Sequence, residues 1–141
     1  MVNSDVMSAL ASRWPENKIN PSLDRIKLLL DYLGNPQDGL KVIHIAGTNG
    51  KTSTSRMVER LLRALDLRTG LFTSPHLNHP RERISIDGSP ISTNNFEEIY
   101  RQVEPFLGLV DEQTSESPLT FFEVLTAMSF VSFADTPVDA V

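Results

Sequence analysis

The chain contains no cysteine. This excludes a disulfide framework, a thiolate nucleophile and a Cys-based zinc site, and it fits a reducing compartment, the cytoplasm. Basic charge is not in excess either, since 13 Lys and Arg stand against 18 Asp and Glu for a formal net charge of −5. No broad basic field is therefore available for nucleic acid or an anionic membrane, although a local cationic site is still allowed. Long apolar runs are missing. The most apolar segment, Val124 to Ala134, is interrupted by Thr126, Ser129 and Ser132, well short of the ~20 residues that span a bilayer. Met1 to Trp14 shows no basic stretch followed by an apolar core, so neither secretion nor membrane spanning is expected. Internal repeats and low-complexity tracts are absent too.

What is present is the composition of an ordinary globular domain: 141 residues, 40% hydrophobic and 22% charged, with seven Gly and nine Pro. A short helix is allowed over residues 4–14. A clearer one starts at Ser22 behind Pro21, carries Leu23, Ile26, Leu29, Leu30 and Leu33 on one face, and stops at Gly34. Lys41 to Ala46 reads as a strand, with His44 buried inside it, and ends in the turn Gly47-Thr48-Asn49-Gly50. Met57, Val58, Leu61, Leu62 and Leu65 then recur at helical spacing and should pack on a sheet, with Arg56, Glu59, Arg60 and Arg63 on the other face. Thr69 to Thr73 closes a βαβ unit, which predicts a parallel sheet.

Residues 74–83 contain two prolines and no usable period, so they read as an exposed loop. Arg83 to Ile91 reads as a hairpin around Asp87-Gly88. Thr93 opens an amphipathic helix with Phe96, Ile99, Tyr100, Val103 and Phe106, and a polar stretch, Asp111 to Pro118, separates it from the last one. Thr120-Phe121-Phe122-Glu123 matches a capping box before a helix that is apolar nearly all round, which calls for burial on several sides. Pro137 to Val141 looks like the opening of another core strand, and this predicts that the chain is a fragment of a longer protein.

The strongest chemical signal is Gly47-Thr48-Asn49-Gly50-Lys51-Thr52-Ser53, set between a predicted strand and a predicted helix. There, backbone N–H groups and a helix N-terminus converge on an anion, and the glycines allow close approach. Lys51 would reach the β- and γ-phosphates, and the hydroxyl of Thr52 or Ser53 could hold Mg²⁺. The spacing departs from the longer phosphate-loop form, because Ile45 stands where a first glycine is expected. A plain Gly-Asn turn is the alternative. Ser74, at the end of the neighbouring strand, could face the same phosphates or serve simple turn chemistry. His76 and His79 lack a third zinc ligand nearby and read as surface residues. Arg81 and Arg83 around Glu82 read as a solvated charge cluster or as a clamp for a carboxylate. Glu123 is either the third residue of a capping box, stabilising the helix start by about 1 kcal/mol, or a catalytic group. Phe121, Phe122, Met128, Phe130 and Phe133 read as core rather than as a stacking surface.

Taken in order, Gly47-Thr48-Asn49-Gly50-Lys51-Thr52, Thr73-Ser74-Pro75-His76-Leu77, Glu82-Arg83-Ile84 and Phe122-Glu123-Val124-Leu125-Thr126-Ala127 resemble the folylpolyglutamate synthase and dihydrofolate synthase group of the Mur ligase superfamily. The phosphate loop alone indicates only the superfamily; Ser-Pro-His-Leu with Glu-Arg-Ile is typical of the folate branch. The resemblance runs from about Pro21 to Val141, and Trp14-Pro15-Glu16 to Arg25 looks like the family's lead-in to its pterin pocket. It implies an α/β fold of the Mur ligase central-domain type, a mainly parallel sheet flanked by helices, truncated here. It also implies an ATP- and Mg²⁺-dependent amide ligase that activates a carboxylate on dihydropteroate or a reduced folate as an acyl phosphate, which L-glutamate then attacks.

By the same resemblance, Lys51 holds the γ-phosphate within the loop Gly47, Thr48, Asn49, Gly50, Lys51, Thr52 and Ser53, and Ser74 is the magnesium-binding serine, joined by Thr52. Arg25, Thr120, Phe122 and Glu123 fall where similar enzymes bind pteroate, and His76 and Arg83 lie on the loop beside the active site. The family's further metal ligands, its modified lysine and its C-terminal glutamate-ligase domain would lie beyond Val141. Residues 1–141 are thus expected to be the N-terminal part of the ATP-binding domain, inactive alone, of an enzyme that is monomeric at full length. Other readings are a cell-wall precursor ligase of the Mur type, a non-catalytic nucleotide-binding module, and a small-molecule kinase. The last is weakened because no residue stands out as a Walker-B aspartate.

Overall fold

Apolar residues at helical spacing bring three helices together on one side of a small sheet. The computed structural model describes residues 4–15, 20–114 and 117–141, so the lead-in segment is described only in part, its residues 16–19 lying outside. The elements run α1 (Ser4–Ala11), α2 (Asp24–Tyr32), α3 (Lys51–Ala64), β1 (Gly70–Phe72), β2 (Ile84–Ile86), β3 (Ser89–Pro90), α4 (Thr93–Gln113) and α5 (Phe121–Asp135). α2, α4 and α5 pack against one another, and α5 also lies on β1 and β2. Their shared core includes Leu29, Phe96, Val103, Leu107, Val124 and Met128, all fully buried or nearly so. Each such side chain contributes roughly 1.5–3 kcal/mol of burial.

The helix ends follow local chemistry. α2 stops at Gly34, whose φ of +78° is the left-handed conformation that favours glycine. The Ser92 hydroxyl accepts from the Asn95 N–H to open α4, and Thr120 and Glu123 form the predicted capping box of α5. The polar residues closing α4 against α5 use Asp111, which accepts from the Leu119 N–H (2.8 Å) and pairs with Arg13.

β1, β2 and β3 form an antiparallel sheet in that order. The predicted hairpin is present, with Asp87 and Gly88 both at positive φ (48° and 80°), as a two-residue turn with the strands' own twist requires. The parallel component of the α/β fold is carried by the last three residues. Gly70 N–H donates to the Ala140 carbonyl (2.9 Å), and Thr69 and Ala140 form a parallel bridge. On the other side the Val141 N–H donates to the Lys41 carbonyl and the Val141 carbonyl accepts from the Ile43 N–H, both at 2.8 Å. Residues 139–141 thus lie between the predicted strand 41–46 and β1, so the two strands of the βαβ unit are not direct neighbours. With so short a stretch between them, residues 41–46 form no ladder of their own.

Several expectations are corrected here. His44 is exposed, since its segment borders an open cavity and not a packed core. On α3, Val58, Leu62 and the buried Glu59 turn inward, while Met57, Leu61 and Leu65 are exposed. The apolar stripe is wider than the surface available to cover it. The segment 74–83 is more ordered than its composition suggests: Pro80 to Arg83 forms a short 3-10 turn, and Arg83 is buried rather than part of a solvated cluster.

Candidate functional site

Gly47 and Gly50 create the mouth of α3. Gly50 sits at φ +73°, and a Cβ there would meet nothing within 4 Å, so the backbone is open to a ligand on that side. The Thr54 N–H donates to the Gly50 carbonyl (2.9 Å), which leaves the N–H groups of Lys51, Thr52 and Ser53 at the helix N-terminus as the donors an anion would use. Lys51 Nζ donates to the Gly47 carbonyl (2.7 Å) and reaches the Thr48 carbonyl (3.5 Å), so the ammonium already lies across the loop. Thr48, Asn49, Gly50 and Ser53 are exposed on the same turn. The loop geometry therefore fits a phosphate group.

A cavity of about 640 Å³ opens from this loop. Gly47, Lys51, Thr52, Ser74 and Phe122 of the predicted site line it, and Thr126 and Ser129 from α5 line it as well. Neither the Thr52 nor the Ser74 hydroxyl has a hydrogen-bond partner among the described residues, so both are available to a ligand or ion. Glu59 is the carboxylate at the cavity wall, and it is already engaged by Arg63 (2.6 Å) and the Thr69 hydroxyl (2.6 Å). Among the described residues no cluster of three His, Asp or Glu could hold a metal. Were Mg²⁺ bound at this place, Thr52 and Ser74 would be the ligands from this chain, hydroxyl oxygens of the hard kind that Mg²⁺ accepts.

Beside the cavity lies a second group. Arg25 is buried, its Nε donates to both carboxylate oxygens of Glu123 (3.1 and 3.2 Å), and its Nη2 donates to the Asn20 carbonyl (2.9 Å). Glu123 also accepts from the Thr120 N–H (2.8 Å), while Thr120 Oγ1 accepts from the Glu123 N–H (3.2 Å). The capping role and the ion pair are thus held by one carboxylate. Phe122, between Thr120 and Glu123 in the chain, points its ring toward Phe72 at 5.9 Å and is 38% exposed, which makes it an open surface for stacking rather than core.

His76 and Arg83 meet across the loop: Arg83 Nε donates to His76 Nδ1 (2.9 Å), and the guanidinium lies 5.3 Å from the centre of the Phe121 ring. The loop between them is tied by Glu82, which accepts from the N–H groups of Leu77 (3.0 Å), Asn78 (3.2 Å) and His79 (2.9 Å). Bonds from the Leu77 N–H and its neighbours hold the Glu82 carboxyl below its ordinary range. Burial, reinforced by Arg81, lowers His79. Sequence reasoning missed Thr126, Ser129 and Glu59 at the cavity. Spacing held a signal for Thr126, one helical turn after Phe122, whereas the burial of Glu59 had none.

No family model matches the chain. Its similarity to known proteins is nonetheless high. It is 55% identical over 136 residues to the dihydrofolate synthase/folylpolyglutamate synthase of Mycobacterium tuberculosis, a match that spans 92% of this chain and 28% of that protein. Among solved structures, the Mycobacterium tuberculosis folylpolyglutamate synthase complexed with ADP superposes with a TM-score of 0.90 at 54% identity, over 97% of this chain and 30% of the other. A folylpolyglutamate synthase complex with AMPPCP and folate gives 0.87 at 32% identity, over 99% of this chain and 34% of that one. The chain spans about 28% to 34% of the length of these relatives. Over the residues it shares with them, it belongs to the dihydrofolate synthase/folylpolyglutamate synthase family.

Proposed function

We propose that this chain supplies the nucleotide- and pteroate-facing part of an ATP-dependent carboxylate–amine ligase that adds L-glutamate to dihydropteroate or a folate. The observation that carries the reading is the single cavity shared by the Gly47–Ser53 loop, Ser74 and Phe122. Relatives of this chain have been solved with ADP, and with AMPPCP and folate. ATP supplies the phosphoryl group that turns a carboxylate, a poor electrophile, into an acyl phosphate.

In this reading the loop N–H groups and Lys51 hold and orient the β- and γ-phosphates. Thr52 and Ser74 would hold Mg²⁺, which would supply charge neutralisation for the phosphates. Phe122 offers its exposed ring to the flat pteroate, Arg25 and Glu123 fix the start of α5, and His76 with Arg83 shapes the adjoining loop. The relatives are about three times longer than this chain, so we place glutamate binding and the remaining metal ligands on polypeptide outside these 141 residues. These 141 residues are then the N-terminal part of the ATP-binding domain of a cytoplasmic, monomeric enzyme.

Calorimetric titration with AMPPCP and Mg²⁺ tests the nucleotide half. The chain should bind it, and Lys51→Ala should weaken binding by about tenfold or more, as loss of a charge-assisted contact demands. Titration with dihydropteroate tests the other half, with Phe122→Ala expected to weaken binding. Nucleotide binding with no response to dihydropteroate would leave only a nucleotide-binding module, and equal nucleotide affinity in Lys51→Ala would refute the phosphate-loop assignment.

A further inference from the structure

On the side of α3 that faces the hairpin lies a second cavity, of about 420 Å³, which the ligase reading does not use. Its roof is Arg56, Arg60 and Arg63, which fall on one helical stripe, and its floor is Leu71, Thr73 and Ser85 from β1 and β2. Three arginines stand against two glutamates, Glu59 and Glu82, around this cavity, which leaves it a net positive charge. Glu59, between these arginines, is used by Arg63 and by the Thr69 hydroxyl. Arg56 and Arg60 have no hydrogen-bond or ion-pair partner among the described residues, although like charges four apart repel on a helix. Glu82 also lines the cavity, with its carboxylate oxygens turned to the N–H groups of Leu77, Asn78 and His79.

The floor supplies an independent observation. Ser85 is 8% exposed, and its hydroxyl has no partner among the described residues. Ser85 lines the cavity, and its hydroxyl can both donate to and accept from a ligand there. Thr73, beside it on the floor, is half-buried, and its hydroxyl has no partner among the described residues either.

We propose that this groove is a binding site for a compact dianionic oxyanion, held from above by the Arg56 and Arg60 guanidiniums and from below by the Ser85 and Thr73 hydroxyls. Guanidinium forks suit phosphate and carboxylate alike, and freely rotating hydroxyls complete a tetrahedral oxyanion better than a planar one. The site includes no residue of the Gly47–Ser53 loop and does not depend on the ligase reading, although Glu59, Leu71 and Thr73 line both cavities.

The test is titration of the full 141-residue chain with inorganic phosphate in the absence of Mg²⁺, followed through backbone amide shifts of residues 56–63, 73 and 85. Lys51→Ala removes the loop's cation and should leave these shifts intact. The exposed pair Arg56→Gln/Arg60→Gln should weaken phosphate binding by about tenfold or more with the amide spectrum otherwise unchanged, and Ser85→Ala should weaken it less. Sulfate should bind similarly and malonate more weakly; stronger binding of malonate would reassign the ligand to a dicarboxylate and overturn the phosphate-type assignment. Shifts at residues 56–63 that vanish in Lys51→Ala, or that persist undiminished in the Arg56→Gln/Arg60→Gln chain, would overturn the site itself.

Discussion

At the scale of single residues, Glu123 carries the most structural weight in the candidate site, because it serves the α5 cap and neutralises a buried guanidinium. Removing one partner of such a pair leaves an uncompensated charge, a loss of roughly 3–5 kcal/mol. Glu123→Ala is therefore expected to lower stability by about 3 kcal/mol in urea unfolding, and Glu123→Gln, which still accepts the Thr120 N–H, by less. Equal losses would mean that the charge on Glu123, and not its cap, carries the effect. His79 gives a pH prediction. Its folded-state pKa lies below the ordinary 6.5, chiefly through burial, so below that pH the unfolded chain binds the extra proton more readily. The stabilisation is complete above about 6.5 and is lost as pH falls through the lowered folded value. The His79 ring resonances should titrate below 6.5, and a midpoint at or above it would refute the burial argument. Glu82, held low by the Leu77 N–H, acts in the same direction at more acid pH.

At the scale of elements, close contact between β1 and α5 depends on Gly70. A Cβ there would lie 2.6 Å from the Phe133 ring, which is almost wholly buried. Gly70→Ala should cost roughly 1–3 kcal/mol by overpacking, read from the urea midpoint, and Phe133→Leu in the same chain should recover part of it. Full additivity of the two changes would show that they do not share the contact. The turn at Gly88 differs in kind: the nearest atoms to an added Cβ belong to the Arg63 guanidinium, which can move, while φ of +80° remains. Gly88→Ala should thus lose only about 1 kcal/mol, from backbone strain. Patterns confined to one element were legible here: the Gly34 stop, the Asp87-Gly88 turn and the Thr120 cap all stand as read, because each depends on residues within a few positions.

At the scale of the whole molecule, three of the exposed apolar side chains share one stripe of α3 at four-residue spacing. Met57, Leu61 and Leu65 on α3 are each about two-thirds exposed, and Val42 and Ile43 about half. Clustered apolar surface of this kind binds apolar dyes and promotes association. Replacing Met57, Leu61 and Leu65 together by Gln should reduce dye fluorescence and sedimentation-detected association, with little change in unfolding midpoint. A large drop in stability would show that these side chains are buried in solution.

The glycine turn before α3, the α5 cap and the family itself were determined by the sequence alone, since each depends on residue identity at short spacing, and the turn needs only Gly47 and Gly50 in order ahead of Lys51. Only the tertiary structure decided which half of a helical stripe is covered, that Glu59 is buried and His44 exposed, and that residues 139–141 lie between Lys41–Ile43 and β1. It also joined Arg25 to Glu123, 98 residues apart, and set Ser85 beneath the arginines of α3. Periodicity reports that a face is apolar, but what lies against that face depends on chain segments distant in sequence, whose approach no local pattern encodes.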